Sequence, residues 1–114
     1  MGLFSWLLGP KVDEVEVTEV HRFLTEGASL IDVREPHDWA TGHVHGARLV
    51  PLGNLDRELT KWRPDRTVLF ICRTGHRAAR ATASAQRRGL KAMNVRGGMV
   101  QWIRQGLPAK TGRK

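Results

Sequence analysis

The only cysteine in the chain stands in the run Ile71-Cys72-Arg73-Thr74-Gly75-His76-Arg77-Ala78. An isolated cysteine is often a small buried hydrophobe, but that role needs neither a glycine three residues on nor two flanking guanidiniums. Gly75 offers a position at which positive φ is cheap, so successive backbone N–H groups can turn inward as an anion-binding nest. Arg73 and Arg77, with Arg80 beyond them, add positive charge. Aligned donors and cations favour thiolate over thiol, and the thiolate is the nucleophile. The run therefore predicts an anion-handling site with Cys72 at its centre. Guanidinium suits oxyanions because its fork of donors matches their geometry and keeps its charge at physiological pH. His76 is either a donor at the rim or a solvated loop residue.

Such a loop needs rigid elements on both sides. Thr67-Val68-Leu69-Phe70-Ile71 is the clearest buried strand in the sequence, five β-branched or apolar residues together after the polar turn Arg63-Pro64-Asp65-Arg66. From His76 an alanine-rich helix follows, with Gly89 marking its end. Cys72 thus falls between a strand end and a helix start, the crevice where open α/β sheets bind ligands. Elsewhere the pattern alternates in the same way. Glu14 to Val17 reads as a strand, followed by a helix that Thr18 caps and Gly27 ends; Leu30 to Val33 reads as a buried strand. Asp38-Trp39-Ala40 make a helical turn before Gly42, Ala47 to Val50 a short strand, and Leu52 to Leu59 a short helix. Met93 to Val95 supply a last strand and Met99, Trp102 and Ile103 a last helix. Strands separated by helices predict an α/β fold, a small, mostly parallel sheet covered by helices on both faces.

The 114 residues suffice for one domain, here 14–107. With one cysteine, neither an intramolecular disulfide nor a Cys-cluster metal site can form. His43 and His45 lack a clear third ligand in sequence, and no cofactor or metal is expected. The formal charge of +8 attracts anions of any size, yet the basic residues are dispersed, tyrosine is absent and no nucleic-acid partner is expected. Residues 1–13 form an apolar N-terminal segment, too short to cross a bilayer and without a basic export signature; it is expected to pack on the domain or a partner, or to touch a membrane weakly, with Phe4 and Trp6 as anchors. Residues 108–114 read as a basic C-terminal tail, solvated and disordered.

Cys72-Arg73-Thr74-Gly75-His76-Arg77 resembles the active-site loop of rhodanese-domain sulfurtransferases. Asp32-Val33-Arg34, the stretch from Gly42 to Ala47 and Pro51 resemble two N-terminal blocks of that family, and Asn94-Val95, Gly97-Gly98 and Trp102 its C-terminal block. Asp38 and Trp39 depart mildly from the family's usual Glu and Phe or Tyr. The resemblance implies a cytoplasmic sulfurtransferase in which Cys72 carries a persulfide and Arg73, Thr74, Gly75, His76 and Arg77 bind a small anionic sulfur donor such as thiosulfate. The acceptor would be a thiol, cyanide or a protein. Asp32 is expected to take backbone donors or a basic neighbour, and Arg34 to bind a carboxylate such as Glu35 or Asp38. Two other readings are a partner-binding or sulfur-sensing module without catalysis and a cysteine-dependent phosphatase or arsenate reductase. The phosphatase pattern has five residues between cysteine and arginine; here there are four between Cys72 and Arg77.

Overall fold

The structure, a computed structural model, describes residues 11–114. In chain order it contains β1 (Glu14–Val15), α1 (Val20–Thr25), β2 (Ser29–Asp32), α2 (Pro36–Thr41), β3 (Arg48–Leu49), α3 (Leu55–Leu59), β4 (Thr67–Ile71), α4 (His76–Arg87), β5 (Lys91–Val95) and α5 (Gly98–Arg104). Single 3-10 turns, Val17–Glu19 and Leu52–Asn54, lead into α1 and α3. The strands form one sheet in the order β1-β5-β4-β2-β3, with every pairing parallel. All five strands therefore end on the same edge, and the loops that follow them converge there. This is the α/β architecture the sequence predicts.

Strand alternation divides the core into two layers. Val68 and Phe70 of β4 face Leu55 and Leu59 of α3 and Ala78, Ala81 and Ala85 of α4. Leu69 and Ile71 face the other way, against Val20 of α1 and Met99 and Trp102 of α5. The alanines of α4 recur at three- and four-residue spacing and bring the helix close to the sheet. β4 is packed on both faces, and the Cys72 loop is its direct continuation.

Three expectations need correction. The first strand stops at Val15 rather than Val17, because Val17 already belongs to the 3-10 turn. Thr18 lies inside that turn and does not cap it; the Glu19 carboxylate instead accepts the Glu16 N–H at 3.1 Å. The C-terminal tail is solvated but held in place. The Lys110 backbone exchanges two hydrogen bonds with His43, at 2.8 and 2.7 Å, and Gly112 N–H donates to Ala40 O at 2.9 Å. The indole N–H groups of Trp39 and Trp102 donate to the carbonyls of Arg113 (3.2 Å) and Pro108 (2.9 Å). Side-chain composition misses such a strap because the tail takes part in these bonds only through its backbone groups, which every residue carries. Of the expected N-terminal segment 1–13, residues 1–10, with Phe4 and Trp6, lie outside the described residues.

Candidate active site

Cys72 continues the alternation of Val68 and Phe70, so its side chain turns toward α4. There the sulfur accepts two backbone hydrogen bonds, from Gly75 N–H at 3.0 Å and Ala78 N–H at 3.3 Å. Gly75 precedes α4 with φ 108°, and its carbonyl accepts the Ala79 N–H. Ala78 belongs to the first turn, whose N–H groups have no partner within the helix. The helix start therefore points donors and the positive end of its dipole at the sulfur, where a capping side chain would ordinarily sit. Both effects stabilise negative charge on sulfur.

The loop's carbonyls are bound from behind. Met99 N–H donates to Cys72 O at 2.8 Å and Val100 N–H to Arg73 O at 3.0 Å, both from the first turn of α5. With its carbonyls engaged there, the loop presents N–H groups to the sulfur. Gly97 and Gly98 have φ of 76° and 57°, and a β-carbon on Gly98 would overlap the carbonyl oxygens of Cys72 and Arg73. A side chain at Gly98 would push α5 and the loop apart. From the β5 side, Asn94 Nδ2 and the Gly97 nitrogen border Gly75 closely enough to meet a β-carbon placed there. Sequence reasoning placed the glycine pair in a family block without seeing this clamp; two adjacent glycines at a helix start were the available signal.

The other expected residues surround the sulfur unequally. Cys72 is 1% exposed and Gly75 is buried, whereas Arg73, Thr74 and His76 are exposed and Arg77 is half-buried. Thr74 Oγ1 and His76 Nδ1 lie 3.3 Å apart across the rim. No carboxylate pairs with Arg73 or Arg77 among the described residues. The arrangement thus combines a buried sulfur that accepts two backbone hydrogen bonds with two loop arginines that have no acidic partner among the described residues.

Asp32 and Arg34 support the neighbouring loop. Arg34 binds neither the Glu35 nor the Asp38 carboxylate; its Nε and Nη2 donate to Asp32 at 2.9 and 2.7 Å. Nη1 donates to the Asp38 carbonyl (3.3 Å), and Nη2 donates also to that of Gly42 (2.7 Å). Both residues are buried, so the nearest carboxylate that could be buried with the cation takes precedence over exposed Glu35. His43 is also buried, with Nδ1 2.8 Å from Trp39 O and its ring stacked 3.6 Å from the Trp39 ring. His45 is exposed, and no group of three metal-ligating side chains occurs among the described residues.

The site is thus a strand-end cysteine in a parallel α/β domain, its sulfur held by two backbone donors at a helix start. The chain belongs to the rhodanese-like domain family, which matches residues 16–105. It is similar to the probable adenylyltransferase/sulfurtransferase MoeZ of Mycobacterium tuberculosis, with 41% identity over 83 residues, covering 70% of this chain but only 21% of MoeZ. A sulfurtransferase of Allochromatium vinosum is 32% identical over 100 residues, covering 85% of this chain and 94% of that protein. The crystal structure of a thiosulfate sulfurtransferase from Pseudomonas aeruginosa superposes with a TM-score of 0.81 at 25% identity, covering 92% of this chain and 20% of the other.

Proposed function

We propose that the protein is a sulfurtransferase that carries sulfane sulfur as a persulfide on Cys72. The observation that carries this reading is the pair of backbone N–H groups on the Cys72 sulfur, at 3.0 and 3.3 Å. In the first half-reaction the thiolate attacks the outer sulfur of a donor such as thiosulfate. A new S–S bond forms at Cys72, the donor's S–S bond breaks, and sulfite leaves with the electron pair. In the second, an acceptor nucleophile attacks the outer sulfur of the persulfide and Cys72 leaves as thiolate. Cyanide as acceptor gives thiocyanate; a thiol or a protein thiolate gives a new persulfide. No net oxidation is required.

The residues take separate parts. Backbone N–H groups between Arg73 and Arg77, with Thr74 and Gly75 in the turn, hold the charge of the persulfide. The Arg73 and Arg77 side chains orient the anionic donor, and His76 is a rim donor. A lone thiol remains reduced in the cytoplasm, the compartment this reading assigns. Against a phosphatase, whose pattern has five residues between cysteine and arginine, the sixth position after Cys72 is held by Ala78, and Arg77 comes one residue too early. A tighter loop suits one extra sulfur better than a whole phosphoryl group. The presence of Cys72 with both loop arginines argues against a partner-binding module that makes no use of the cysteine.

Incubation with thiosulfate and cyanide tests the proposal, with thiocyanate as the expected product and no phosphate released from an aryl phosphate. Phosphate release without thiocyanate would overturn it.

A further inference from the structure

Asn94 of β5 is a buried polar side chain that lies against the active-site turn. β5 alternates as β4 does: Met93 and Val95 face α5, and Ala92 faces α4. Asn94 shares the face of Ala92, with Phe70 of β4 beside it in the sheet and Glu14 of β1 on its other side. Cys72 stands two residues beyond Phe70 on that same face. Asn94 is 3% exposed, and its Nδ2 donates to Glu14 Oε2 at 3.2 Å. The same nitrogen lies 3.5 Å from where a β-carbon on Gly75 would stand, beside the Gly97 nitrogen at 3.6 Å. The Gly75 turn therefore packs on the nitrogen end of this amide. Oδ1, by contrast, is buried with no hydrogen-bond partner among the described residues.

A buried oxygen without a partner costs stability, and a leucine would fill nearly the same shape without that cost. Stability alone therefore does not call for asparagine here. Orientation does. Glu14 accepts a bond that only the nitrogen can give, and the amide turned over would set its oxygen against a carboxylate. The positive end of the amide dipole is thus held toward Gly75, whose own N–H reaches the Cys72 sulfur at 3.0 Å. We propose, on the reading of Cys72 as the sulfur carrier, that Asn94 is a positioning residue for the sulfur. Its amide supports the Gly75 turn and adds the positive end of its dipole to the donors that favour the thiolate. It acts through Gly75, since its own hydrogen bond goes to Glu14 and not to Cys72. The other charged or titratable groups at the turn are Arg73 in the loop and His76 and Arg77 at the start of α4. Glu14 from β1 is the negative one, and the Asn94 nitrogen touches both it and the turn.

Two readouts on the full chain test the proposal. One is thiocyanate formation from thiosulfate and cyanide. The other is the pH titration of thiolate absorbance in the ultraviolet, which needs no sulfur transfer and belongs to Cys72 alone, because the chain has one cysteine and no tyrosine. Asn94→Leu should slow thiocyanate formation about tenfold or more, the scale of one lost hydrogen-bonded contact at a charge. It should also raise the midpoint of the thiolate titration by about half a pH unit or more. Asn94→Ala, which empties the place instead of refilling it, should move both readouts in the same directions. Gln86→Leu is the comparison: Gln86 Nε2 donates to Asp13 Oδ2 and Ala92 O, both at 3.2 Å, and so ties α4 to β5 and to the residues leading into β1 without meeting the loop. It should leave turnover within about twofold of wild type and the midpoint unmoved. Thermal melts establish that each variant is folded. Wild-type turnover and midpoint in the folded Asn94 variants, or equal changes in Gln86→Leu, would overturn the proposal. A wild type that makes no thiocyanate would sink the sulfurtransferase reading instead, while the thiolate midpoint still decides the role of Asn94.

Discussion

The two ends of the parallel sheet both concentrate positive electrostatics, by different means. At the Cys72 end the donors are backbone N–H groups of Gly75 and Ala78, fixed by a positive-φ turn, a helix start and the clamp from Met99 and Val100. At the opposite end the charge rests on long, exposed side chains such as Arg63 and Arg66. Backbone donors held by the fold need no reorganisation when charge develops beside them, which is the condition for stabilising a reacting sulfur. Exposed guanidiniums lose rotamer freedom with each geometry they adopt. The first arrangement suits chemistry at one atom; the second does not. Substitutions at the two ends should therefore differ in kind.

The largest difference is expected at the sulfur. Cys72→Ser should abolish thiocyanate formation and leave the thermal melt close to wild type, because one small group replaces another in an intact loop; residual turnover in a folded variant would rule out the persulfide. Next come two glycines with positive φ. Gly98→Ala must strain the backbone and also overlap the Cys72 and Arg73 carbonyls, whereas Gly27, at the other end with φ 102°, has open space around its α-carbon. Each loses about 1 kcal/mol or more of stability to the unfavourable φ. Only Gly98→Ala should lower kcat, by tenfold or more, since only there does the loop have to move. Equal kinetics for the two variants would break the contrast.

Arginine to alanine gives a middle-sized effect. Arg77→Ala should reduce kcat/KM for thiosulfate by about tenfold to a hundredfold, the scale of one charged hydrogen bond, while Arg66→Ala changes it less than about twofold through screened attraction. Steady-state kinetics at physiological salt decides between them.

The smallest effect concerns Glu58 and pH. Its hydrogen bond from Lys61, with further attraction from Arg48 and Arg57, holds its carboxyl below the usual carboxylate range. On acidification the unfolded chain takes up this proton before the folded one does. The stabilisation is therefore present above the ordinary carboxylate pKa and disappears as pH falls through the lowered value. Glu58→Gln should narrow the Tm difference between neutral and acidic pH slightly, with thiosulfate turnover at neutral pH unaffected. A widened difference would contradict the sign.

The sequence revealed some of these features and concealed others for physical reasons. β4 was legible as Thr67–Ile71 because an uninterrupted apolar run between polar turns has few other homes, and α4 because alanines favour helix while Gly89 stops it. The turn at Gly75 could be read from residue type. The Arg34 partner could not, since choosing Asp32 over Glu35 and Asp38 depends on which carboxylate is buried with the guanidinium. The clamp of α5 on the loop and the tail strap on His43 escaped for a related reason: both are made by backbone groups that no side-chain pattern advertises.

Intact-protein mass after treatment with thiosulfate, on reduced wild type and on Cys72→Ser, tests the sulfur-carrying role of Cys72 most directly. The account predicts the addition of one sulfur atom to the wild type, removed by cyanide, and none to the variant. Wild type that gains no sulfur, or a Cys72→Ser variant that gains as much, would contradict it.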